Sequence, residues 1–80
     1  MATKQQREIA IKKLSRILKI ASSKSISTEL CSEVMFLTRF LTIKRIKLIR
    51  DNAIKEAIQN NASNEAINRL QNFFPNIDSF

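Results

Sequence analysis

The sequence predicts an all-α domain made of a short first helix, a long central helix and a short third helix. Three observations predict it. Glycine is absent and the single proline, Pro75, stands near the C-terminal end, so most of the 80 residues carry no helix breaker. Apolar residues recur at helical rather than alternating spacing. Ser27 and Ser63 each stand at the head of an apolar-periodic run, with Glu29 and Glu65 close behind, which is the chemistry of a capped helix start.

The first helix is expected from Thr3, an acceptable N-cap, to about Ala21. Ala10, Leu14, Ile17, Leu18 and Ala21 fall on one helical face. Lys12, Arg16 and Lys19 make a basic stripe on another. Ser22, Ser23, Lys24 and Ser25 end the pattern, because serine favours local side-chain to backbone bonds over a helix interior. Ser27 then opens a second helix, expected to run unbroken to about Ala57, roughly 45 Å at 1.5 Å per residue.

That central segment is apolar on several sides. Leu30, Val34, Leu37, Leu41 and Leu48 make one stripe, Phe36, Phe40 and Ile43 a second, and Ile46, Ile49 and Ala53 a third. Such a helix is contacted from more than one side, and so small a chain has little material to cover it. A partner subunit is therefore expected against Leu30, Val34, Leu37, Phe40, Leu41, Leu48, Ile49 and Ala53, joined by Phe73 and Phe74 from the third helix. The alternative is a compact three-helix bundle in which the long helix breaks near Thr42. Gln59 to Ala62 form the next break, since asparagine tolerates the left-handed conformation that follows many helices. The third helix begins at Ser63, buries Ile67, Leu70, Phe73 and Phe74, and is expected to stop at Pro75. Ile77 and Phe80 are expected to pack back on the domain or on a partner.

Composition excludes most site chemistry. The length allows one domain, residues 1–80. With no histidine and no glycine there is no Cys–His or Ser–His–Asp nucleophile system and no glycine-rich phosphate loop. No metal or other cofactor is expected, and the protein is not expected to be an enzyme or to have a small-molecule substrate. The sole cysteine, Cys31, sits beside Leu30 and Val34 and is read as a small buried hydrophobe. No apolar run approaches a membrane span, and the polar segment from Met1 to Arg7 lacks a secretory core. An intracellular protein with no membrane partner is expected.

Charge is the strongest functional signal. The formal net charge is +7, and residues 1–50 hold twelve Lys/Arg against three Asp/Glu. Residues 51–80 hold two against four. A basic half points to a polyanionic partner, of which nucleic acid is the commonest. Arg39, Lys44, Arg45, Lys47 and Arg50 extend the positive charge along the central segment, where the alternatives are a DNA-binding face, a solvated surface or a face for an acidic partner.

The run Arg16-Ile17-Leu18-Lys19, then Ala21, then Ile26-Ser27, resembles the end of the first helix, first loop and central-helix start of the histone fold, particularly the minimal tailless histones of archaea. Ser63 to Ile67 resembles the start of that family's third helix. The resemblance implies a histone fold dimerised by a head-to-tail handshake of the central helices, bound to duplex DNA in a nucleoid or nucleus. It makes Arg16 the arginine that approaches the minor groove and Lys19 a phosphate contact. Lys24 lies in the first loop, and Ser25 takes the place of the family's usual arginine. Gln59-Asn60-Asn61-Ala62 replaces the family's Gly-Arg-Lys-Thr, and Ala66 stands close to where an acid belongs, so Asn60 and Asn61 offer hydrogen bonds without charge. A second resemblance, Leu70 to Ile77 with Phe80, is to the C-terminal end of small centromere and DNA-repair histone-fold proteins, which work as heterodimers with another histone-fold chain.

Three functions follow as expectations. One is a sequence-nonspecific architectural DNA-binding protein acting as an obligate dimer, with DNA contacts from Lys12, Arg16, Lys19, Lys24, Ser25, Lys44, Arg45, Lys47, Asn60 and Asn61. The second is a histone-fold subunit that pairs with a different chain in a chromatin, centromere or repair complex. The third is a helix-turn-helix regulator using Ala57 to Phe74, although Arg69 is the only cation of that recognition helix.

Overall fold

The computed structural model of the protein describes residues 3–74 and Ile77, and all regular structure among them is helical. Helix α1, Lys4–Ala21, starts at a reciprocal capping box. The Thr3 hydroxyl accepts the Gln6 N–H at 3.1 Å, and the Gln6 side-chain oxygen accepts the Thr3 N–H at 2.9 Å. Its buried residues are Ala10, Leu14, Ile17, Leu18 and Ala21, the face predicted from spacing. At its other end Ser22 Oγ donates to the Lys19 carbonyl and Ser23 Oγ to the Ile20 carbonyl. The serines thus end the helix by taking up its last acceptors.

The central segment is divided. Helix α2, Thr28–Leu37, is followed by a 3-10 turn, Thr38–Phe40, and then by helix α3, Ile43–Gln59. The expectation of one continuous helix from Ser27 to about Ala57 is corrected, and the break falls where the alternative bundle places it. Leu41 and Thr42 are both extended, with ψ of 150° and 157°. Two threonines drive the break through local bonds. Thr38 Oγ1 donates to the Met35 carbonyl at 2.8 Å, and Thr42 Oγ1 accepts the Arg45 N–H at 3.1 Å. Both are β-branched and lose little by leaving a helix. The fold gains from the break because α2 and α3 can each turn an apolar face toward α1.

Helix α3 ends in a Schellman motif. Asn61 has φ of 58°, the Ala62 N–H reaches the Ala57 carbonyl at 2.9 Å, and the Asn61 N–H reaches the Ile58 carbonyl at 3.1 Å. Ser63 then caps helix α4, Asn64–Gln71, by accepting the Ala66 N–H at 3.1 Å. Helix α1 is the centre of the packing and touches α2, α3 and α4. Leu14 and Leu18 of α1 and Leu70 of α4 are fully buried, and Val34, Leu37, Ile49 and Ala57 close around them.

The chain covers part of its central segment with its own helices, while Met35, Phe36, Ile43 and Leu48 of that segment stay exposed. Of the residues assigned to a partner interface, Val34, Leu37 and Ile49 are buried within the chain. Leu30, Phe40, Leu41, Ala53, Phe73 and Phe74 pack half-buried against the same core. Leu48 differs, at 48% exposure. Cys31 is exposed, which corrects its reading as a buried hydrophobe. Its α2 neighbour Met35 is 73% exposed, so this side of α2 faces away from α1. Ile77 is buried and its N–H meets the Phe74 carbonyl, as expected of a tail that packs back. Pro75, Asn76 and Phe80 lie outside the described residues, as does part of the second C-terminal resemblance. No helix among the described residues is long and apolar enough to cross a membrane.

Candidate nucleic-acid interface

Two helices bring the basic stripes of the sequence together. Arg16 and Lys19 of α1 and Arg45 of α3 line one groove of about 800 Å³ between these helices, and all three are exposed. Arg16 and Lys19 stand three residues apart, hence neighbours on the helix surface, with the buried Ile17 and Leu18 between them anchoring that turn to the core. Arg45 is positioned by the break itself. Its backbone N–H is the one that Thr42 caps, so the turn that divides the central segment also sets where α3 begins and which side chain meets α1.

The groove is mixed in character. Ile11, Leu48, Ile49 and Ala53 supply apolar lining, and Ser15, Asn52 and Asn60 supply hydrogen-bonding groups. Glu56 is its one acid among the described lining residues. Arg45, Asn52, Glu56 and Asn60 share a face of α3 at i, i+7, i+11 and i+15. Ser15, Asn52 and Glu56 were not singled out from sequence, although Asn52 and Glu56 stand in helical register with Arg45, and Ser15 precedes Arg16 on α1.

Helix α3 also begins with the wrong charge for its dipole. It has no acid in its first turn, and Lys44 and Arg45 stand there instead. Cations at the positive end of a helix dipole typically cost 0.3–1 kcal/mol each at the surface, and a bound anion offsets that cost.

Apart from Asn60, the other predicted contacts do not line this groove. Lys12 is exposed one helical turn before Arg16. Lys24 and Ser25 are exposed in the loop between α1 and α2, and Ser25 lines a different groove. Lys44 is exposed, Lys47 is half-buried, and Asn61 is exposed at the left-handed position of the Schellman turn. Arg50 is withdrawn from the surface. Its side chain is 10% exposed, and its Nε and Nη2 donate to Asp51 Oδ1 at 3.1 and 3.0 Å. Arg69 is also committed, its Nε donating to the Ala21 carbonyl at 2.9 Å. This leaves α4 with Asn64, Asn68 and Gln71 as exposed polar groups and with Glu65 in its first turn, a poor recognition helix.

Among the described residues no group of three or more His, Cys, Asp or Glu side chains is placed to hold a metal ion. No family model matches the chain, and no characterised protein or solved structure shows significant similarity to it.

Proposed function

We propose that the protein binds duplex nucleic acid without sequence preference, through the basic groove between α1 and α3. The observation that carries this reading is the convergence of Arg16, Lys19 and Arg45 from two helices on one surface. Lys12 and Lys44 are exposed cations on the same two helices. Phosphates lie at the outside of a duplex and are met by exposed, flexible cations. The binding free energy then comes largely from counterion release and depends steeply on salt. The groove holds no aromatic side chain among its described lining residues, so base stacking of a single strand has no platform there. Discrimination between bases needs polar side chains projected into the major groove, and α4 supplies little of that.

In this reading the chain binds DNA as the closed bundle. The histone-fold arrangement and its handshake dimer require Leu41 and Thr42 to become helical, joining α2 to α3 and withdrawing Val34, Leu37 and Ile49 from the core they now share. An architectural role as a handshake dimer, or as one half of a heterodimer, would depend on that rearrangement.

The test is a titration of the full chain against a random duplex of about 30 bp across a salt series. Affinity is expected to fall with a log–log slope of several units and to be equal for unrelated sequences. Replacing Arg16, Lys19 and Arg45 together by alanine should reduce the slope by about 2–3, since each phosphate contact contributes about 0.9. An unchanged slope in the triple variant removes the groove from the site.

A further inference from the structure

A second groove lies elsewhere on the molecule and shares no lining residue with the first. It has a volume of about 860 Å³ and runs between α2, the start of α3 and the C-terminal end of α4. Val34, Leu41, Ile46, Phe73 and Phe74 line it, with Met35 on its open side. Its size is in the range of sites for small organic ligands, which are mostly apolar with a few placed polar groups.

The polar lining is Ser25, Thr38, Asn72 and Arg69. Arg69 is the only charged residue among the described lining residues, none of which is an acid. Its Nε is fixed on the Ala21 carbonyl at 2.9 Å, which sets the plane of the guanidinium. The two terminal nitrogens have no hydrogen-bond or ion-pair partner among the described residues. A half-buried guanidinium, oriented by one bond and edged by apolar side chains, matches a planar carboxylate that accepts two parallel N–H bonds. A lone phosphate or a polar anion would leave the apolar walls wet. A neutral apolar compound would leave the fork unmet.

We propose that this groove binds a small aliphatic carboxylic acid, its chain along the apolar walls between α2 and α4 and its carboxylate on the terminal nitrogens of Arg69. The site is independent of nucleic-acid binding, since the basic groove contributes nothing to it.

The probe is decanoate, kept below its micelle concentration, titrated into the full chain and followed by amide and methyl NMR beside decanol at matched concentrations. Saturable shifts are expected at Cys31, Met35, Ile43 and Phe73, with decanol bound at least about tenfold more weakly for want of the charge-assisted bonds. Removing Arg69 also removes a bond that holds α1, so a variant that spares the fold is needed beside it. Cys31→Trp places a large ring at an exposed position on the groove wall. It is expected to keep the helical circular dichroism of the parent and to weaken decanoate binding by at least about tenfold, as a filled site must. Shifts that do not saturate, equal affinity for decanol, or undiminished binding by Cys31→Trp would each overturn the assignment. So would shifts centred on Arg16, Lys19 and Arg45, which mark attraction of any anion to the basic face.

Discussion

Arg69 joins two parts of the chain that are 48 residues apart, donating from α4 to the Ala21 carbonyl at the end of α1. A cation at a helix C-terminus satisfies an orphan carbonyl and meets the negative end of the dipole. A hydrogen bond from a charged donor contributes about 1.5–3 kcal/mol, and partial exposure places this one toward the lower end. Arg69→Ala is therefore expected to lower unfolding free energy by about 1–2 kcal/mol in urea titration. No loss of stability would show that α4 is held by Leu70 and Ala66 alone. Such a bond cannot be found by reading along the chain, because nothing near Arg69 names Ala21. The caps are different. Thr3, Ser27, Ser63 and the left-handed residue after α3 were legible, since each acts on a backbone group within three or four residues of itself.

Among the elements, the decisive event is the division of residues 28–59 into α2 and α3. Helical spacing runs through the break, and no glycine or proline marks it. The clue was a pair of threonines, Thr38 and Thr42, whose side chains compete for backbone groups. Thr42 was hard to recognise as a cap because Arg45 stands where a capping box puts an acid or glutamine. Tertiary packing then decides between two locally acceptable conformations, and that decision is not written in any short window. The closed bundle makes a sharp prediction at Ile43. This residue is the first of α3, its N–H is one that a helix start leaves unbonded, and Thr42 before it is already extended. Ile43→Pro suits such a site but breaks a continuous central helix, at a cost of about 3 kcal/mol. We expect the variant to keep its melting temperature within a few degrees and its affinity for duplex DNA within about twofold. Loss of DNA binding with an intact bundle would make the joined helix, and with it the handshake, the binding form.

For the whole molecule the governing quantity is the distribution of charge. The net charge of +7 is the sum of +9 before residue 51 and −2 from residue 51 on, and folding places Arg16, Lys19 and Arg45 together while withdrawing Arg50 into a contact with Asp51. The sequence was informative about the sign of the partner because composition survives any fold. It was less informative about which cations act together, since Lys24, Arg45 and Lys47 look alike until the helices are placed. Glu56 opposes the surrounding potential. Glu56→Gln is expected to tighten DNA binding several-fold at low salt, with the gain fading as added salt shortens the screening length. An equal gain at all salt concentrations would point instead to a new hydrogen bond from the amide.

Cys31 is the single cysteine of the chain and lies exposed on α2. Oxidation in air can therefore couple whole molecules only in pairs, through one sulfur–sulfur bond, because a second thiol for longer chains or internal closure does not exist. A species of doubled mass that vanishes on adding reductant is this covalent pair. It says nothing of crossed helices, and it forms with the wall of the carboxylate groove turned toward its counterpart, where the same thiol would otherwise serve as a one-site handle for a fluorescent reporter.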